Sequence, residues 1–445
     1  MVAAAAAILC HQLILPPVVG LADNGDFSKV IGRFSLEGRT NLNYRFTDVT
    51  YEFHPERHFV SPYFSSEILL VRAALALNGL LSKDGNFDLR LIGMVHGALF
   101  LAALWLFAPL LDDARRALRL SMYALILLVY CDVMYVSGLN SFYMDEPAYL
   151  FLLLAAALYL RVLRWRRGRD VALLLACLLL LVTAKTQHAV LGLWIAALLS
   201  ITLGKRLAMP SVCLALAAAL MLWRGEPAEH VENSAYNVAF TQILPHSRNV
   251  ARTLADLGLD DSYRPYIGMN AYMPGCGMGD PQFRREFGRR LSLAKLARFY
   301  LTHPRDAYEA LRNSLSGAGR QREFGNFDQS AGYPPGAESR SFALWSDCKR
   351  ALFFHRGPRV LFSFLGLAVA VSLLLWASRK RLPAGALAGG FTLMGMALTE
   401  MLVSSLADAM EIARHHQIFF AMFDLLLLSA IYLGLRLAAE VRHKP

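Results

Sequence analysis

The chain has 445 residues, of which 56% are hydrophobic and 18% are charged, and its mean hydropathy is +0.39. These values exclude an ordinary soluble domain, because several apolar runs reach the roughly 18–20 residues that cross a bilayer. The formal net charge is +11, but the basic residues lie between apolar runs, as topology signals do. We therefore predict a polytopic membrane protein without a nucleic-acid partner.

Apolar runs along the whole chain predict an all-α fold with about ten transmembrane helices. The predicted spans are residues 3–21, 91–111, 119–137, 147–163, 170–184, 188–204, 207–223, 359–377, 384–404 and 417–436. The first run has neither a basic segment before it nor a small-residue cleavage site after it. We therefore interpret it as a retained span rather than a signal peptide.

Basic residues in alternate short loops predict the orientation, since such loops face the cytoplasm. This set comprises Arg115, Arg116, Arg119, Arg161, Arg164, Arg166, Arg167, Arg169, Lys205, Arg206, Arg379, Lys380, Arg381, Arg436, Arg442 and Lys444. An even number of spans then places both termini in the cytoplasm. The predicted location is the plasma membrane, specifically a bacterial inner membrane, with the remaining loops on the extracytoplasmic face.

Two long segments are predicted on that outer face. The first, residues 22–90, contains an apolar stretch at 60–81 that we interpret as an interfacial helix; a tilted or re-entrant span is the alternative. The second, residues 224–358, is polar and of domain size, with helices near 246–258, 281–300 and 304–316 and loops at 274–281 and 333–337. It divides the chain into a transmembrane module at 1–223, an outer domain at 224–358 and a second transmembrane module at 359–445.

The six cysteines follow the same division. Cys10, Cys131, Cys177 and Cys213 lie in apolar runs, where cysteine usually packs as a small hydrophobic residue. Cys276 and Cys348 lie in the outer domain, so a disulfide between them is plausible if that domain is exported.

The first polar cluster follows the first span directly, at Asp23-Asn24-Gly25-Asp26-Phe27. A carboxylate at a membrane edge loses part of its hydration, which is costly unless it has a function or a partner. Asp23 or Asp26 is a candidate general base that takes a proton from an acceptor hydroxyl. The alternative is a solvated cap, or a partner for Lys29 and Arg33.

A second cluster, residues 140–147, lies in the next outer loop and contains Tyr143, Asp145 and Glu146 before Pro147. Acidic residues before a proline also suit a helix N-terminus, so capping alone would explain them. Their presence on the same membrane face as Asp23 favours a binding role.

The third cluster contains Lys185 and His188, between the fifth and sixth predicted spans. A cation on the outer face opposes the usual charge bias and would bind a lipid phosphate; an interfacial lysine that snorkels is the alternative.

A fourth cluster runs from Asp408 to Gln417 and contains Glu411, Arg414 and His415. In a helix, residues 408, 411 and 415 would share one face, and Arg414 would stabilise phosphate oxygens. A self-contained ion-pair network is the alternative. The adjacent histidines indicate metal only weakly, because no third ligand has suitable spacing, so we predict no metal site and no certain cofactor.

One acid and several cations on one membrane face are what sugar transfer from a polyprenyl-phosphate donor requires. The acid activates the acceptor, and the cations hold the phosphate that leaves a transition state resembling an oxocarbenium ion.

The clusters resemble those of the C-type glycosyltransferase superfamily of polytopic enzymes that use lipid-linked sugars. Asp23 and Phe27 keep the spacing of the acidic motif after the first span in protein mannosyltransferases, although the second acid stands at Asp26. Residues 141–146 resemble a second-loop motif of tyrosine and acids, and Glu411, Arg414 and His415 resemble late motifs that meet the lipid phosphate. Segment 236–259 is similar to bacterial cell-surface glycan hexosyltransferases.

The resemblance implies a hexosyltransferase that inverts the anomeric centre, with Asp23 or Asp26 as base. The implied partners are a polyprenyl-phosphate-linked sugar, membrane lipids and an envelope glycan, lipid or protein acceptor. Two alternatives remain: an O-antigen ligase or polymerase that uses the arginines at 284, 285, 289 and 290, and a polytopic transporter, which would carry polar groups near the middle of the membrane.

Overall fold

The structure is a computed structural model that describes residues 1–39, 45–55, 62–82, 85–202, 204, 207–319 and 325–441. It is mostly helical, as predicted. The α-helices are α1 (Val2–Leu9), α2 (Ser28–Ile31), α3 (Glu67–Leu81), α4 (Arg90–Phe107), α5 (Arg116–Tyr130), α6 (Val133–Leu139), α7 (Asp145–Trp165), α8 (Gly168–Val182), α9 (Thr186–Ala189), α10 (Leu191–Thr202), α11 (Ala208–Arg224), α12 (Ala228–Asn237), α13 (Val250–Leu257), α14 (Pro281–Arg290), α15 (Leu293–Thr302), α16 (Pro304–Ala318), α17 (Leu344–Phe353), α18 (Gly357–Ser378), α19 (Ala386–Leu406), α20 (Ile412–His415) and α21 (Gln417–Val441).

Fewer helices than expected have the length of a membrane span. Among the described residues, five helices are long and apolar enough to cross a membrane: α4, α7, α18, α19 and α21. Two bent pairs, α5 with α6 (61°) and α11 with the helical segment Ala228–His246 (76°), raise that number to seven at most. The prediction of ten spans is therefore supported only in part, although helices occupy all ten predicted regions.

The first predicted span, 3–21, shows why length alone misleads. α1 continues as a π-helix over Cys10–Ile14 and then stops, with Leu15 already in extended backbone. Pro16 and Pro17 follow; they lack the N–H that a helix needs, and a proline disfavours helical backbone in the residue before it. Residues 15–22 therefore leave the helix and lead to the first polar cluster.

A small β-sheet in the first outer segment was not predicted by the all-α assignment. Strands β1 (Leu36–Gly38), β2 (Thr50–Phe53) and β3 (Asn86–Asp88) pair antiparallel in that order, with Tyr51 opposite Phe87. The rings of Tyr51, Phe87 and Phe27 are fully buried around Phe142. This aromatic core fixes the first polar cluster against the loop that precedes α7.

The predicted interfacial helix at 60–81 begins later than expected, at Glu67, as α3; residues 60 and 61 lie outside the described part. Glu67 is fully buried and lies 3.2 Å from His96 of α4, so α3 is packed on the bundle through a polar contact as well as its apolar side chains. Lys205, Arg206, Arg442 and Lys444, which supported the orientation, also lie outside the described residues.

Most of the other helices pack around two hydrophobic cores. The larger one combines residues of α1, α4 to α8, α10 and α11 with residues of α16 to α19 and α21, so the two predicted transmembrane modules share a core. The smaller core lies in the outer segment, around Tyr236, Phe240, Phe287 and Phe299. The domain boundaries themselves stay a prediction.

The outer segment differs from expectation in two details. The helix expected at 281–300 is two helices, α14 and α15, because Leu291 and Ser292 are extended and the Ser292 hydroxyl accepts the N–H of Lys295 as a cap. The expected disulfide is absent: Cys276 is a buried free thiol that donates to the Ala271 carbonyl (3.2 Å), and Cys348 is an exposed free thiol.

Candidate functional site

Arg414 lies at the centre of a buried cluster that joins three distant segments of the chain. Its guanidinium donates to Asp26 (2.7 Å), to Asp145 (2.8 Å) and to Glu411 (3.0 Å). It also lies over the ring of Tyr143, 4.5 Å from the centroid. Because all five donors of a guanidinium lie in one plane, three carboxylates around it fix its orientation.

The segment that carries Arg414 is not the single helix that the sequence predicted. α19 ends at Leu406, and Glu411 has a left-handed backbone (φ 49°), so α20 begins only at Ile412. The predicted common helical face of 408, 411 and 415 is therefore wrong. The predicted contact of Glu411 with Arg414 is present, and the side-chain amide of Asn24 also donates to Glu411.

Asp145 connects Arg414 to the third cluster. It stands in the first turn of α7, where Lys185 approaches it to 2.9 Å and His188 to 3.2 Å. Both acids stand in the first turn of α7, as the helix N-terminus alternative predicted, but no side chain caps that end and Asp145 has cation partners as well. Lys185 does not snorkel either, since it is 8% exposed and ion-paired.

His188 and Gln187 extend the cluster into the bundle. The Nδ1 atom of His188 lies 2.9 Å from Glu400 of α19, and the Gln187 amide donates to the same carboxylate (2.5 Å). Glu400 is fully buried in a spanning helix, where an unpaired carboxylate would be costly. These contacts connect α9 to α19.

Glu146 and His415 differ from the predicted phosphate-binding role. Glu146 faces Gly138 and accepts from Gln417 (2.9 Å) rather than from Arg414. His415 is beside Arg414 (3.3 Å), but burial, together with Lys185 and Arg414, holds its pKa well below the usual range. A neutral imidazole offers a phosphate a hydrogen bond and no charge.

Asp26 is bound by two cations. Arg414 is one, and Lys29, three residues along the chain, lies 2.5 Å from its other oxygen. Burial alone would raise the pKa of Asp26, but these two cations outweigh it and keep the pKa well below its usual range. Asp26 is thus a permanently ionised carboxylate whose charge is already compensated.

Asp23 has different surroundings. One of its oxygens accepts the backbone N–H groups of Gly25 (2.7 Å) and Phe27 (3.2 Å), and Gly25 has the positive φ (98°) that this turn requires. Among the described residues, no cation forms an ion pair with Asp23. Burial, helped by the charges of Asp26 and Glu411, raises the pKa of Asp23 to about 6.

The sequence thus identified most of the residues that meet here, namely Asp23, Asp26, Tyr143, Asp145, Lys185, His188, Glu411, Arg414 and His415. It missed Asn24 and Gln187 as members of the cluster, and their positions beside charged candidates were the available signal. Within the described residues, no group of three or more His, Cys, Asp or Glu side chains is arranged to hold a metal ion. Metal independence stays a prediction.

The sequence matches a protein family. The family model described as "YfdI N-terminal transmembrane domain" matches residues 1–444. No curated protein and no solved structure matches the chain.

Proposed function

The chain belongs to the YfdI N-terminal transmembrane domain family, and we propose that this multi-pass membrane protein is a glycosyltransferase. In this proposal it moves a hexose from a polyprenyl-phosphate donor to a hydroxyl of an envelope glycan, lipid or protein. The observation that carries the proposal is the contrast between Asp23, which pairs with no cation among the described residues, and its neighbour Asp26, which is held by Arg414, a cation that three carboxylates orient.

Asp23 acts as the general base. A base must be ionised before it can accept a proton, yet basic enough to hold it, and a pKa of about 6 satisfies both conditions near neutral pH. Asp26 is less suited, because Arg414 and Lys29 stabilise its ionised form. Both backbone N–H groups donate to the same oxygen of Asp23. The other carboxylate oxygen is therefore the one that contacts an acceptor hydroxyl.

The reaction is a single displacement. The acceptor oxygen forms a bond to the anomeric carbon while the bond from that carbon to the phosphate oxygen breaks. The hydroxyl proton passes to Asp23, and the polyprenyl phosphate departs with the bonding electron pair. One displacement inverts the anomeric centre.

Arg414, Lys185 and Lys29 bind the phosphate that leaves. Their carboxylate partners Asp26 and Asp145 hold these cations in place before the donor arrives, so little side-chain entropy is lost on binding. The surrounding carboxylates also suit the positive charge that develops on the sugar ring in an oxocarbenium-like transition state.

A transporter is the second candidate, because two carboxylates that lie within predicted spans are buried in the bundle. Asp424 lies in the span α21, fully buried against Lys349 (2.6 Å), and Glu400 is buried in the span α19. Buried ionisable groups inside spanning helices often serve ion or proton pathways. The arginines at 284 and 290, by contrast, form ion pairs with residues of the outer segment, which gives the ligase alternative no added support.

The test is reconstitution of the purified chain in liposomes with polyprenyl-phosphate hexoses and an envelope glycan extract. We expect a labelled covalent product and release of polyprenyl phosphate. Uptake of a solute without any covalent product would overturn the proposal in favour of a transporter. Mass spectrometry of envelope glycans from a deletion strain then identifies the acceptor, which should lack one hexose.

A further inference from the structure

A groove of about 630 Å³ lies on the bundle, away from the Arg414 cluster. Its walls come from α17, from the first turns of α18 and from α21, and none of the residues around Arg414 lines it. Pockets for small ligands have volumes of about 300–1,000 Å³, so this groove can hold one hydrocarbon chain.

The surroundings of the groove are a membrane. α18 and α21 both have the length and composition of spans, and only 22% of the apolar window of α18 is buried within the protein. Phe362 and Leu352, at the edge of the groove, are 65% and 53% exposed. Hydrocarbon is therefore the medium in contact with this wall.

The groove reaches from a charged end into the apolar part of the bundle. It extends along α18 from Arg359 to Leu367, a rise of roughly 12 Å. α18 begins, like α21, on the side of the bundle where the Arg414 cluster lies, because α19 returns to that side before Arg414. A chain in the groove would thus lie in the leaflet on that face.

Two cations mark the groove. Lys349 is 99% buried, paired with Asp424 and stacked over Phe420 (4.7 Å), so its charge is neutralised. Arg359 is exposed in the first turn of the spanning helix, and among the described residues no carboxylate pairs with it. An unneutralised arginine at the membrane boundary attracts an anionic headgroup.

We infer that this groove is a binding site for an anionic phospholipid, with one acyl chain between α18 and α21 and its phosphate at Arg359. A phospholipid is favoured over the sugar donor because the phosphate of the donor has to reach Arg414. That preference rests on the proposed function, whereas binding of an anionic lipid in the groove does not, since the site would bind lipid whether or not the chain transfers sugar.

Gly366 offers a direct test. It lines the groove, and a Cβ added there would meet no atom within 4 Å, so Gly366→Leu adds a side chain at the groove wall from an unobstructed position. Gly434 in α21 is a matched control, because it also faces open space but does not line the groove. Arg359→Gln removes the charge, and Arg379→Gln, at the opposite end of α18, is its control.

The experiment uses the full chain in phosphatidylcholine nanodiscs that contain a photoactivatable phosphatidylglycerol, with cross-links mapped by peptide mass spectrometry. We expect labelling of residues 362–367 and 423–427. Gly366→Leu should reduce it by at least about ten-fold, since a filled groove excludes the chain, and Arg359→Gln by roughly five-fold, the effect of one basic residue near a charged membrane. Gly434→Leu and Arg379→Gln should label as the unmodified chain does.

Three results would overturn the inference. One is equal labelling by a photoactivatable phosphatidylcholine, which would remove the role of the headgroup charge. Another is unchanged labelling in folded Gly366→Leu, with folding checked by size-exclusion chromatography. The third is displacement of the probe by stoichiometric polyprenyl phosphate, which would assign the groove to the donor lipid instead. Sugar transfer is not measured in any arm, so failure here leaves the proposed function intact.

Discussion

Asp23 and Asp26 are three residues apart, yet their surroundings give the two carboxyl groups opposite properties. Arg414 and Lys29 hold the ionised form of Asp26, whereas burial opposes ionisation of Asp23. The sequence alone could not separate them, because the cation that decides the matter is 388 residues away from Asp26. Their closeness in the sequence was enough to predict an acidic cluster. The different roles of the two aspartates depend on tertiary contacts.

Replacement of each aspartate tests this assignment. We expect Asp23→Asn to lower kcat by about 10²–10⁴-fold, the usual contribution of a general base. Asp26→Asn should act mainly on KM, since it removes one of the carboxylates that orient Arg414. Steady-state sugar transfer measures both, and Asp261→Asn, on the exposed surface of the outer segment, is the control. Full activity in Asp23→Asn would contradict the assignment.

The pH dependence of sugar transfer should follow the ionisation of Asp23. Only ionised Asp23 accepts a proton, so kcat/KM should be maximal above pH 6 and fall about ten-fold per pH unit below it. The negative charge of Asp26 contributes to the raised pKa of Asp23. Asp26→Asn should therefore shift the acidic limb of the profile to lower pH. A limb that stays in place in this variant would show that another group titrates.

At the scale of elements, two glycines let α4 and α6 approach the start of α7 and the loop before it. A Cβ on Gly93 of α4 would lie 1.8 Å from the Asn140 amide oxygen, and one on Gly138 of α6 would lie 2.0 Å from a Glu146 carboxylate oxygen. Neither side chain is free to move, because Asn140 donates to Leu13 and Glu146 accepts from Gln417. The side chains of Asn140 and Glu146 thus pack directly against the backbones of α4 and α6.

Alanine at either glycine should therefore destabilise the protein. We expect Gly93→Ala and Gly138→Ala each to cost about 1–3 kcal/mol, as overpacking does in a full interior, and to lower the thermal midpoint in detergent. Gly79→Ala in α3 is the matched control, because its Cβ would meet no atom, and it should be neutral or slightly stabilising. Equal midpoints for all three variants would show that the loop adapts.

The elements also show how far sequence reasoning reaches. Apolar runs predicted the positions of the helices well, because helices buried in the protein and helices that face lipid are both rich in apolar residues. The end of α1 could have been predicted from Pro16 and Pro17, whereas the break between Leu406 and Ile412 could not, because the left-handed Glu411 depends on its contacts with Asn24 and Arg414. The three short strands were missed because each has only three or four residues.

At the scale of the whole molecule, the Arg414 cluster constrains topology, since Asp26, Asp145, Lys185 and Arg414 meet at one face. We predict that this face is extracytoplasmic. In a background without the exposed Cys10, Cys213 and Cys348, a cysteine at Ser28 or Asp261 should react with an impermeant maleimide in intact cells. A cysteine at Gly168, the first residue of α8 beside the Arg-rich loop, should react only after permeabilisation. Labelling of Ser28→Cys and Gly168→Cys from one side would refute this topology.

The extended segment after α1 links the beginning of the chain to a part made much later. Gly20 and Ala22 donate their N–H groups to the carbonyls of Asn326 and Gly325, and the Asn326 amide donates back to Gly20. During synthesis, the ribosome has to add some 300 residues before these partners exist. Until then the segment has only its contacts with earlier residues, such as those with Asn140 and Tyr143. A fragment that ends before residue 325 should therefore insert into a membrane but lack the contacts that hold Gly20 and Ala22 to Gly325 and Asn326.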